Sequence, residues 1–110
     1  MATSKYTLHN AKSEFLSKQR DKHTDVSFDI QGVIIKAHQF VLSTHSSIFE
    51  IMFYGEFKKD LSKPIVLDDE PETFKMMIDY LYGISIQCNL DHFFDILQLA
   101  DFYQIENLKE

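Results

Sequence analysis

A chain of 110 residues is the size of one domain, and 45% hydrophobic and 14% aromatic content, with ten Phe and no Trp, supplies the material for a core and excludes a disordered chain. A formal charge of −6 argues against a nucleic-acid partner, which needs clustered Lys and Arg, and the apolar runs fall far short of the roughly 20 residues of a membrane span. The single cysteine, Cys88, cannot close an internal disulfide and suits a reducing compartment, and Met1 to Asn10 lacks an apolar signal segment, so the expectation is a soluble domain, cytoplasmic or nuclear, whose partner is another protein.

Residues 1–9 read as a flexible arm in which Tyr6 and Leu8 are apolar and able to dock. Asn10 can cap a helix running to about Lys22. Its apolar stripe is thin: Ala11 and Phe15 stand four apart with Leu16 beside them, and the remainder is Lys, Ser, Gln, Arg and Asp. Either this helix lies on the surface, or another molecule completes its stripe.

Asp25 to Ile30 alternates polar and apolar, with Val26, Phe28 and Ile30 on one face, the pattern of a half-buried strand. Gln31-Gly32 fits a tight turn, and Val33 to Ala37 returns as a second strand. From Lys36 to Gly55 the apolar residues cluster at Phe40–Leu42 and Ile48–Phe53, which predicts two short helices too greasy for a surface. Ser47 with Glu50 three residues on reads as a capping box, and Gly55 as a left-handed stop.

Glu56 to Lys63 is a charged loop interrupted by Phe57 and Leu61, Pro64 ends it, and Ile65-Val66-Leu67 predicts a short strand. The run Asp68-Asp69-Glu70-Pro71-Glu72 is a strong helix start, combining a cap, an early proline and first-turn acids that complement the dipole. Phe74, Met77, Ile78, Leu81 and Tyr82 follow at helical spacing, and Gly83 closes that helix. Asn89 or Asp91 can cap a last long helix through Phe93, Phe94, Leu97, Ala100 and Tyr103.

Catalytic and metal-binding patterns are missing from the chain. His9, His23, His38, His45 and His92 show no zinc-ligand spacing, and His38 reads better as a core histidine bonded to backbone at the strand–helix turn. Ser43 and His45 point in different directions on a helix, and no nucleophile elbow surrounds them. Gly32, Gly55 and Gly83 make no phosphate loop, and the Asp68–Glu72 run lacks calcium-loop spacing, so it reads as a solvated helix start. Lys58 and Lys59 are a solvated loop in an acidic protein. The expectation is a protein with no enzymatic activity, cofactor, metal or small-molecule substrate.

The ordered motifs resemble the BTB/POZ domain. Those that carry the likeness are Asp25-Val26-Ser27-Phe28, Ala37 to Ser43, Ser47-Ile48-Phe49 with Met52-Phe53, Ile65-Val66-Leu67, Pro71 to Phe74 and Tyr80-Leu81-Tyr82-Gly83. They cover roughly residues 10–108; each is weak alone, and their shared order makes the match specific. The resemblance implies an α+β fold, a small three-stranded sheet with a cluster of five or six helices, spanning 10–110. It also implies a homodimer formed through the first helix and its arm, with Tyr6, Leu8, Ala11, Phe15 and Leu16 at the interface; the alternative is that Phe15 and Leu16 pack on their own core.

The 40–57 stretch is most similar to BTB proteins that pair this module with a substrate-binding domain. No such domain follows, so the chain is expected to be a minimal relative or an excised domain. The likeness implies an adaptor bridging a substrate to a cullin-3 ubiquitin ligase through the helix ending near Gly55, the loop after it and the last helix, at Met52, Phe53, Tyr54, Phe57, Lys59 and Tyr103. Many such loops carry a hydrophobic residue followed two later by Glu; here Phe57-Lys58-Lys59 keeps the anchor and replaces the acid with a base. A second reading is a corepressor dimer of the zinc-finger BTB type, in which a buried Asp on the first strand pairs with a base after the junction histidine. Asp25 is present, but Gln39 stands in the partner position. Plain self-association is the third.

Overall fold

In the computed structural model, which describes residues 17–105, the first strand becomes the centre of a three-stranded sheet. Strand β1 (Val26–Ile30) pairs antiparallel with β2 (Val33–Ala37), Phe28 opposite Ile35, and parallel with β3 (Ile65–Leu67), Phe28 opposite Ile65, in the order β2-β1-β3. The predicted alternation holds: Val26, Phe28 and Ile30 face inward with Ile35, Ala37 and Ile65, all buried. Gln31 and Gly32 both take positive φ, 53° and 89°, the primed two-residue turn whose hand matches strand twist. The Asp29 carboxylate accepts the Gly32 N–H at 3.0 Å and closes the turn.

Helices α1 (Gln39–His45) and α2 (Ser47–Tyr54) meet at Ser46, which is extended (φ −139°, ψ 121°) and serves as the last cap of one and the first cap of the other. The capping residue is therefore Ser46 and not Ser47. Its hydroxyl accepts the Phe49 N–H at 3.0 Å and donates to the Tyr103 carbonyl at 2.6 Å, whereas Ser47 donates to Gln104. Gly55 also works differently from the expectation. Its φ is −74°, not left-handed, and glycine is needed because a Cβ there would stand 2.5 Å from the Ile51 carbonyl oxygen.

Helix α3 (Pro71–Leu81) starts as predicted, with Glu70 as cap and Pro71 in the first turn, and buries Phe74, Met77, Ile78 and Leu81, with Tyr82 just beyond. Helix α4 (Leu90–Phe102) is capped by Asn89, whose side-chain oxygen accepts the His92 N–H at 2.8 Å. Its buried stripe is Ile96, Ala100 and Tyr103, and Phe93 and Phe94 are exposed. The described residues carry four helices beside the end of an earlier one; of the helix expected from Asn10 to about Lys22, residues 10–16 lie outside them, and the rest is helical only at Ser17 and Lys18 and turns from Gln19.

Helices α1 and α2 are only half buried, which corrects the expectation that they are too apolar for a surface. Leu42, Phe49 and Phe53 enter the core, while Phe40, Ile51 and Tyr54 face out. A short helix in one layer has one covered arc, so apolar residues outside that arc remain exposed.

Removing the Ser46 hydroxyl takes away a helix cap and leaves the buried Tyr103 carbonyl short of a donor. Ser46→Ala is expected to lower the unfolding free energy by about 2–3 kcal/mol in urea denaturation, with Ser47→Ala costing under about 1 kcal/mol.

Candidate protein-interaction surfaces

The first candidate surface lies where β2 turns into α1. The His38 backbone N–H donates to the Tyr82 hydroxyl oxygen at 2.8 Å, and the ring bridges that hydroxyl at Nδ1 (2.6 Å) and the Lys22 carbonyl at Nε2 (2.5 Å). A carbonyl only accepts, so Nε2 carries the proton and Nδ1 accepts from Tyr82. His38 thus bonds backbone as expected, from a half-buried position. Arg20 lies over the Tyr82 ring, 4.7 Å from its centroid, donates from Nε to Asp79 at 2.9 Å, and reaches the Lys36 carbonyl. These contacts fasten residues 17–22, the end of the stretch expected to be the first helix, to β2 and α3.

Asp25 is exposed, not buried. Its carboxylate accepts the Gln39 N–H at 2.7 Å, and the Gln39 amide donates back to the Asp25 carbonyl at 3.0 Å. Because His38 places no side-chain cap on α1, Asp25 caps that helix from the neighbouring strand. With Gln39 in that position no ion pair was expected, and the two residues exchange hydrogen bonds instead.

The second surface is formed by α2 and the loop after it. The Lys59 N–H donates to the Met52 carbonyl at 2.9 Å, folding the loop start back over the helix end. Phe57 sits within that turn, 90% exposed, and Tyr54 is also exposed, edge-on to Phe53. Met52 is half-buried and Lys59 exposed. Phe53 and Tyr103 are 1% and 2% exposed, so as they stand these two side chains belong to the core and offer no contact area. The sequence reading passed over Ile51 and Phe102, both large, apolar and exposed. Ile51 could have been found from its i, i+3 relation to Tyr54. The positions expected at a dimer interface, Tyr6, Leu8, Ala11, Phe15 and Leu16, lie outside the described residues.

The acidic run before α3 is engaged in structure and not simply solvated. Asp69 accepts the Tyr103 hydroxyl at 2.5 Å. Glu70 accepts from the Thr73 hydroxyl and amide and from the Glu72 amide, and these bonds, the Thr73 hydroxyl foremost, hold its carboxyl below the usual range. Among the described residues no group of His, Cys, Asp and Glu is placed to hold a metal.

A small sheet backed by an aromatic core, with large apolar side chains left facing outward, defines a module that works by contact with other proteins. Residues 15–110 match the BTB/POZ domain, and the chain belongs to the BTB/POZ family. It is 30% identical over 96 residues to Kelch repeat and BTB domain-containing protein 4 of Mus musculus, covering 86% of this chain and 18% of that protein. It is 33% identical over 82 residues to BTB/POZ and MATH domain-containing protein 6 of Arabidopsis thaliana, covering 71% of this chain and 20% of that protein. The chain therefore spans about a fifth of the length of these relatives.

Gln39→Arg keeps the backbone cap and gives Asp25 a counter-charge at an exposed site, so it is expected to change the unfolding free energy by less than about 1 kcal/mol. Asp25→Ala, which removes the cap, should cost about 1 kcal/mol, both read by urea denaturation.

Burial pushes the Tyr82 phenol up to about 12, and burial, with the Asp69 carboxylate beside it, pushes Tyr103 up as well. An unfolded chain gives up these protons near pH 10, while the folded one retains them. Stability is thus complete below about pH 10 and falls as pH rises from there towards 12. Thermal unfolding at stepwise higher pH should show the midpoint dropping in that window, and Tyr82→Phe should make the drop shallower.

Proposed function

We propose that this domain is an adaptor that homodimerises and docks a cullin-3 ubiquitin-ligase scaffold through α2 and the loop after it. The observation that carries the reading is Phe57: a large aromatic 90% exposed in a charged loop, in a turn closed by the Lys59-to-Met52 bond. Buried aromatic anchors dominate such interfaces, and a side chain held out in water gains nothing until a partner covers it. Ile51, Tyr54 and Phe102 supply further exposed apolar area. Phe53 and Tyr103 support the surface from beneath. The relatives' names add kelch repeats or a MATH domain beside the BTB domain, the arrangement expected of an adaptor that recruits substrates.

Dimerisation through Tyr6, Leu8, Ala11, Phe15 and Leu16 completes the proposal. Its support is the thin stripe, which a symmetry-related copy would cover, a two-fold pair being the commonest closed assembly. Substrate choice falls to whatever domain accompanies this one.

Calorimetric titration against the purified cullin-3 N-terminal domain tests the scaffold contact. Phe57→Ala is expected to cost about 2 kcal/mol, roughly thirtyfold in affinity, with thermal unfolding unchanged. Lys59→Glu, which restores the family pattern, should bind as well as the wild type or better. Light scattering should give twice the 12.9 kDa chain mass, and Phe15→Asp with Leu16→Asp should break the dimer. Absence of wild-type binding at high micromolar concentration would overturn the ligase reading in favour of self-association.

A further inference from the structure

The loop between α2 and β3 gathers charge of the sign that the chain otherwise lacks. The protein carries a net charge of −6, yet Lys58, Lys59 and Lys63 fall together in this loop, all exposed. None of the three has an ion-pair partner among the described residues, where Arg20 and Lys75 both pair with Asp79. Ser62 stands among these lysines and is itself exposed. Its N–H and its hydroxyl both donate to the Asp60 carboxylate, at 3.0 and 2.6 Å, and close a tight turn.

The residues before Ser62 form a pattern that an enzyme can read. Lys59 lies three positions earlier and Phe57, 90% exposed, lies five earlier. An acidic subsite and an apolar pocket at that spacing are how one class of basophilic protein kinases selects its substrates. Such a cleft takes extended chain, and residues 57–62 lie in neither helix nor strand. They are held by the Lys59-to-Met52 bond and by half-buried Leu61, ties that a local opening releases without unfolding the domain. Other hydroxyls suit such a cleft less well. Ser43 and Thr44 donate to the Phe40 carbonyl within α1, and Ser47 and Thr73 donate to Gln104 and Glu70 from helical first turns. Ser85 lies between two isoleucines with no charge beside it.

We propose that Ser62 is the acceptor of a basophilic serine/threonine kinase, and that the phosphate opens the Asp60 turn and reverses the charge of the loop. The Ser62 Oγ attacks the γ-phosphorus of MgATP and forms the new O–P bond. The bond from that phosphorus to the β,γ-bridging oxygen breaks, ADP leaves with its electrons, and the hydroxyl proton passes to the kinase's catalytic carboxylate. A group of about −2 charge then replaces the proton that Asp60 now accepts, so the two anions repel and the turn opens. Glu56 and Asp60 leave the loop net positive beside its three lysines, and the phosphate makes it net negative. The site rests on exposure, charge and spacing, and stands whether or not cullin-3 is the partner of Phe57.

The test incubates the purified chain with γ-labelled MgATP and a kinase catalytic domain of the calmodulin-dependent type, with an acidophilic kinase domain for comparison. One phosphate per chain is expected, placed at Ser62 by fragmentation mass spectrometry, at a rate at least tenfold above that of the acidophilic enzyme. Ser62→Ala should remove the label, Lys59→Glu should lower kcat/KM at least tenfold and Phe57→Ala at least threefold, all with unchanged unfolding midpoints. Lys75→Ala, outside the loop, should leave the rate unchanged. In the phosphorylated chain the Ser62 amide should exchange its hydrogen at least fivefold faster, having lost Asp60. A label elsewhere, no label on the wild type, or indifference to Lys59→Glu would overturn the acceptor site. An unchanged Ser62 exchange rate in phosphorylated protein would overturn the opening of the turn.

Discussion

The Phe49 ring is where the layers of the domain meet. It stacks on Tyr103 at 4.7 Å, packs against Phe28 of β1 and Phe53 of its own helix at 5.8 Å, and meets Phe74 of α3 edge-on at 6.3 Å. Each such ring contributes about 1.5–3 kcal/mol through burial and each pair about 0.5–1.5 kcal/mol beyond it, so this cluster holds a large share of the stability of a domain this size. It also leaves little freedom elsewhere. With Phe49 placed, Ser46 three residues earlier must lie against the end of α4, where its hydroxyl ties α2 to the Tyr103 carbonyl.

The outward surface follows from that inward one. Once Phe49 and Phe53 take the covered arc of α2, Ile51 and Tyr54 have no place but the outside. Tyr103 links the two regions further: its ring lies in the core, its hydroxyl reaches Asp69, and its neighbour Phe102 is exposed. The exposed apolar side chains of α2 and α4 are therefore the neighbours of residues that build the core.

Much of the architecture was legible because local patterns and tertiary demands agree. The alternation at Val26, Phe28 and Ile30, the turn at Gln31-Gly32, the proline-led start of α3 and its stripe from Phe74 to Tyr82 each carry their own signal. The failures share a cause. Ser46 and Ser47 are equally good caps by type, and a carbonyl 57 positions away decides between them. Phe53 and Tyr103 stand as contact positions by the family resemblance, and no local pattern marks them as buried, because periodicity shows that a helix is apolar without showing which arc is covered. The Asp69–Tyr103 bond joins residues 34 apart and leaves no mark on either local pattern. Asp25 was noticed as an acid at the right place, but its role as a cap depends on where the next strand ends.

The parallel pairing of β3 beside β1 has a consequence for how the chain comes into being. The β1–β2 hairpin closes over a two-residue turn, whereas β3 reaches β1 only after everything between Ile30 and Ile65 has been laid down. Closing so long a loop is slow, since its entropy is spent before its contacts form. A ribosome releases the hairpin first, with Val26, Phe28 and Ile30 uncovered and one edge open until α2, β3 and α3 arrive. This interval is when the nascent chain is most open to stray strand pairing.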